Sequence, residues 1–129
     1  MIAVLIVEDD AFINMEAVFI VEDLGHATLC AHDVEQALAI LQSEARIDVL
    51  FTDIRLHDRR LGGYELAKQA VALRPSLSVL YTTGDKLADP GTGLVLEGSH
   101  FLQKPYGEVQ LEAALAAALR AAPARRPAA

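Results

Sequence analysis

The sequence predicts a doubly wound α/β domain: a five-stranded parallel sheet with about five helices on its faces. Three observations predict it. Short apolar runs rich in β-branched residues recur along the chain, as in strands buried on both sides. Between them lie segments with apolar residues at helical spacing. Parallel strands need such crossovers, and 129 residues suit a single domain.

The first strand is "IAVLIV", residues 2–7. In "AFINMEAVFIVEDLG", Ile13, Ala17, Ile20 and Leu24 fall on one helical face, and Gly25 is a natural stop. "HATLCAH" (26–32) is a short second strand, with Cys30 read as a small core residue. "DVEQALAILQSEA" (33–45) opens on an Asp cap and places Ala37, Leu38 and Leu41 together. Strand "VLFT" and helix "GYELAKQAVALR" (63–74) follow, then strand "LSVLYTT" (77–83), strand "HFLQ" (100–103) and helix "EVQLEAALAAALRAA" (108–122). Segment 84–98 breaks the rhythm. Pro90, Gly91 and Gly93 make a regular helix costly there, so a short, broken or mobile fourth helix is expected. The domain is expected to span 1–122. The ending "PARRPAA" (123–129), rich in Pro, Ala and Arg, is expected to be disordered.

Composition excludes several classes. A hydrophobic content of 53% supplies a core, yet no apolar run approaches the length of a membrane span. The opening "MIAVLIVEDD" lacks the basic region and cleavage site of a signal peptide, and a single cysteine suits a reducing compartment. A cytoplasmic location without membrane contact is therefore expected. A net charge of -7 argues against gripping nucleic acid. The four histidines, His26, His32, His57 and His100, lack metal-ligand spacing and read as surface or turn residues.

In an open parallel sheet, sites form beyond the carboxyl ends of the strands. Those ends deliver Glu8, Asp9 and Asp10, then Asp53, then Thr82-Thr83-Gly84, then Lys104-Pro105. Taken singly, each has a bland reading: an acidic pair before a helix caps it, and Lys-Pro makes a turn. Taken together they are incompatible with a quiet surface. Carboxylates about 4 Å apart repel by roughly 4 kcal/mol per pair at an effective dielectric near 20. Such a cluster requires a cation, and hard oxygen donors suit Mg²⁺.

The set "LIVEDD", "VLFTDIRL", "LYTTG" and "FLQKPY" resembles the receiver domain of two-component response regulators, the CheY-like family, over about residues 2–122. The resemblance implies that Asp53 accepts a phosphoryl group from a histidine kinase or histidine phosphotransfer protein. It also implies that Asp9, Glu8, Asp53, the backbone carbonyl of Arg55 and, next in line, Asp10 bind Mg²⁺ or its substitute Mn²⁺. Thr83 and Lys104 would contact the phosphoryl oxygens, a cis bond before Pro105 would aim Lys104, and Phe101 would be the switching aromatic. The implied protein is a signalling acceptor, not a turnover enzyme, with a downstream protein target and no stronger self-association than a weak dimer. Two alternatives stand beside it. The chain could be the receiver part of a longer hybrid kinase or DNA-binding regulator. A haloacid dehalogenase-type phosphohydrolase also uses a strand-end Asp, but needs a second Asp where this chain has Arg55. One departure concerns the loop "IRLHDRRLGG", which is longer than the family's common form and carries His57 in the place of a proline.

Overall fold

The computed structural model describes residues 1–57, 59–84 and 98–120. Five parallel strands form one sheet: β1 (Ala3–Val7), β2 (Ala27–Ala31), β3 (Val49–Asp53), β4 (Ser78–Thr83) and β5 (His100–Gln103), in the order β2-β1-β3-β4-β5. The described helices are α1 (Ala11–Asp23), α2 (Val34–Leu41), α3 (Gly62–Leu73) and α4 (Glu108–Arg120). The fourth helix expected over 84–98 and the tail 123–129 lie outside the described residues, apart from Gly84 and Gly98.

The alternation of side chains along each strand divides the core in two. Leu5, Val7, Leu50 and Val79 face α2 and α3, meeting Val34, Leu41, Leu66 and Ala70. Val4, Ile6, Phe51 and Leu80 face the other way, onto Ala17 and Val21 of α1 and Leu111 and Leu115 of α4. The central strands β1, β3 and β4 are buried throughout, which is why their sequences read as continuous apolar runs.

Three expectations need correction. Cys30 is exposed. It stands beside Ile6, but β2 is an outer strand, and α1 covers the inner strand of that face. Helix α1 buries Asn14, Ala17 and Val21, so its inward face is turned by one residue from the Ile13–Leu24 stripe. The helix is apolar nearly all round and leaves Phe12, Met15 and Phe19 exposed, so periodicity could not choose a face. Helix α2 ends at Leu41, short of Ala45. There the Arg74 guanidinium donates to the carbonyls of Leu41, Ser43 and Ala45, satisfying groups that another helical turn would have bonded. Among the described residues, no helix is long and apolar enough to cross a membrane.

Candidate functional site

Because the strands are parallel, their carboxyl ends share one edge of the sheet, and the predicted residues meet there. Carboxylate oxygens of Glu8, Asp9 and Asp53 lie within 4.8 Å of one another. The register explains it: Val7 pairs with Thr52, so the next residues, Glu8 and Asp53, arrive side by side. From β5, the Lys104 ammonium reaches Asp53 Oδ2 at 3.1 Å and also binds Glu8 Oε1. The Lys104–Pro105 peptide bond is cis. Thr83 is buried at the end of β4, and its carbonyl accepts the Lys104 N–H at 2.9 Å. Arg55 follows at the start of the β3–α3 loop with its side chain in solvent.

Asp10 does not join them. Its Oδ1 accepts the N–H groups of Phe12 and Ile13 at 2.9 and 3.0 Å and so caps α1, while the gathered carboxylates are those of Glu8, Asp9 and Asp53. Phe101 is half-buried, with its ring centroid 5.2 Å from that of Tyr81, whose ring in turn meets Tyr64 edge-on at 4.9 Å.

The contacts of several supporting groups escaped the sequence reading. The buried Asn14 amide donates to the carbonyls of Glu8 and Ala31, both at 3.1 Å, fixing α1 to the ends of β1 and β2. The only hint was an amide inside an apolar helix. Gly63 is needed because a Cβ there would overlap the Asp53 carbonyl oxygen, while its N–H donates to Ile54 at 2.7 Å. In the same loop the His57 N–H donates to Asp9 Oδ2 at 2.9 Å.

Electrostatics mark the cluster as strained by like charge. Burial, then the adjacent Asp9, push Glu8 up to about 7, against the opposing pull of Lys104. Burial also raises Asp53, and Lys104 only partly offsets it. Burial would raise Asp9 too, but hydrogen bonds from Glu8 and the His57 N–H hold it below the usual carboxylate range. Burial would lower Lys104, yet Glu8 and Asp53 outweigh it and keep the ammonium charged. Among the described residues Lys104 pairs with Glu8 and Asp53 but not with Asp9, so the three carboxylates retain a negative surplus, and oxygen donors at this separation fit a hard divalent cation.

The family model of the response regulator receiver domain matches residues 4–116. The chain belongs to that family. Among curated relatives, it is 31% identical over 117 residues to the probable transcriptional regulator ycf27 of Guillardia theta, covering 91% of this chain and 45% of that protein. It is 29% identical over 109 residues to the nitrogen assimilation regulatory protein NtrX of Azorhizobium caulinodans, covering 84% of this chain and 24% of that protein. The chain thus spans about a quarter to a half of the length of these relatives. A crystal structure of a response regulator receiver protein from Sinorhizobium medicae superimposes with a TM-score of 0.83 at 24% identity, covering 92% and 94% of the two chains. The receiver's fold is the doubly wound, CheY-like one.

Proposed function

We propose that this receiver accepts a phosphoryl group on Asp53 from a phosphohistidine of a histidine kinase or phosphotransfer protein, in a Mg²⁺-dependent reaction. One observation carries the reading: the meeting of Glu8, Asp9 and Asp53 with the Lys104 ammonium on Asp53. Asp9, Asp53, Glu8 and the Arg55 carbonyl would hold Mg²⁺, which supplies neutralisation of charge on the phosphoryl oxygens when bound.

The chain's own residues do the rest. An Asp53 carboxylate oxygen forms the bond to phosphorus as the bond from phosphorus to the donor's imidazole nitrogen breaks, and the imidazole leaves. The transition state is loose, with charge spread over the equatorial oxygens, so positioning and electrostatics dominate. Lys104 already lies against Asp53 and pairs with those oxygens, while the Thr83 hydroxyl donates to another. The phosphoryl group would draw Thr83 inward and let Phe101 turn into the core, changing the surface around β5. Phe12, Met15 and Phe19 stand exposed on α1, the helix that follows Asp9 and Asp10, and would offer a donor apolar ground to cover.

Water attacking the same phosphorus would break its bond to the Asp53 oxygen, release inorganic phosphate and regenerate the carboxylate; on this reading that step is slow, and the protein acts as a signalling acceptor rather than a turnover enzyme. Incubation with acetyl phosphate and Mg²⁺ should add one phosphoryl group to the intact mass, and Asp53→Asn should add none. Steady release of phosphate from a phosphomonoester would instead favour a hydrolase. With beryllofluoride bound, amide exchange in β5 should slow in the wild type and slow much less in Thr83→Ala.

A further inference from the structure

We infer that residue 57 is a positioning residue for Asp9, acting through its backbone N–H, held by the left-handed turn of the β3–α3 loop. The inference rests on the receiver chemistry proposed above.

Among the described residues, the Lys104 ammonium reaches Glu8 and Asp53, while Asp9 is served by the loop. His57 has φ 55°, a conformation uncommon outside glycine, and in it the N–H donates to Asp9 Oδ2 at 2.9 Å. The turn is framed from within. Leu56 is buried, and Leu56 and Arg59 exchange two backbone hydrogen bonds at 2.9 and 3.0 Å. The donor's place is thus set by buried packing, not by the exposed imidazole, whose Nδ1 lies 3.9 Å from the same oxygen.

The consequence is chemical. With Oδ2 accepting from a neutral donor, the Asp9 carboxylate is held beside Glu8 and Asp53, where a cation would meet all three. A neutral N–H adds no charge to compete with that cation, as a second lysine would. Holding the carboxylate in its bound orientation beforehand removes part of the ordering cost of binding. A proline at 57 could do none of this, because it has no N–H and its φ is fixed near −65°. The longer loop of this chain therefore supplies Asp9 with a contact that a proline at that place forbids.

Three substitutions separate the elements of the inference. His57→Gly keeps the N–H and adopts the turn freely. His57→Val keeps the N–H but its β-branch resists positive φ, and His57→Pro loses both. Mg²⁺ titration by calorimetry should find the glycine protein binding at least as tightly as wild type. The valine protein should bind about 3-fold and the proline protein about 10-fold more weakly, the scale of one ordered side chain. Melting of the metal-free proteins reports any loss of folding separately. Should the proline protein not fold, the glycine–valine pair still decides, together with exchange of the residue 57 amide, which should be faster in Asp9→Ala than in wild type. A wild type that binds Mg²⁺, with all folded variants at the same affinity, overturns this inference alone. So does residue 57 exchange that is indifferent to Asp9→Ala. A wild type that binds no Mg²⁺ overturns the receiver chemistry proposed for the site and this inference with it.

Discussion

Asp48 and Asp53 stand at opposite ends of the same strand, and their surroundings make them different kinds of residue. Asp48 precedes β3 at the amino edge of the sheet, where its Oδ2 accepts the Ala3 N–H at 2.8 Å and meets Arg46 Nε at 3.1 Å. Asp53 closes β3 at the carboxyl edge, buried beside Glu8 and Asp9, with Lys104 as its ion-pair partner among the described residues. One carboxylate has a donor and a cation to itself; the other shares its lysine with a like charge. Residue type does not make the site. The unbalanced charge does, because a cluster with a negative surplus attracts a cation.

The sharpest way to break this comparison is covalent. Asp53→Asn should abolish phosphorylation by acetyl phosphate, while Asp48→Asn should accept one phosphoryl group. Intact mass reads both outcomes. Labelling of Asp53→Asn, or its loss in Asp48→Asn, would show that the two ends had been assigned the wrong way round.

Metal binding comes next in size. Millimolar Mg²⁺ should raise the melting temperature of the wild type, with stabilisation reaching about 2.7 kcal/mol at one hundred times Kd. Asp48→Ala should keep that rise and Asp9→Ala should lose it. An equal rise in both proteins would place the cation elsewhere.

In the absence of metal the two carboxylates should act on stability with opposite signs. Asp53→Asn deletes repulsion from Glu8 and Asp9 and should be neutral or stabilising, although it also loosens Lys104. Asp48→Ala strands the Ala3 N–H and should cost about 1–2 kcal/mol, most of it from the hydrogen bond rather than the exposed Arg46 pair. Denaturant melts of the two variants beside wild type would measure the difference.

The smallest effect is in pH. Glu8 rises from 4.5 to about 7 on folding, so the native state binds more protons than the unfolded chain between those values. Stability of the metal-free protein should therefore decline as pH rises from about 4.5 to 7, and Asp53, also raised, adds the same sign. Glu8→Gln should flatten this slope. An equally steep slope in the variant would assign it to another group.

The site was largely legible because of a property of parallel sheets: every carboxyl end lies on one edge, so residues far apart in sequence must meet there. Asp9, Asp53, Thr83 and Lys104 could be placed on that edge from strand positions alone. Asp10 could not be told from Asp9 in the same way, since both precede a helix and differ only in which direction the carboxylate turns. The structure gives Asp10 to the helix as its cap and Asp9 to the cluster.

The sequence by itself determined the alternation of strands and helices, the five strand segments and the edge where the acidic residues gather. Those follow from local periodicity and from the chirality and connectivity rules of parallel sheets. Tertiary structure decided the rest. It chose the inward face of α1, where Asn14 rather than Ile13 is buried, because apolar residues surround that helix and only packing against β1 and β2 breaks the tie. It exposed Cys30 by giving β2 the outer place in the sheet. It also joined His57 to Asp9 across 48 residues of chain, through a backbone N–H. Every residue except proline carries that group, so its partner is set by where the folded loop points it and leaves no mark in the sequence.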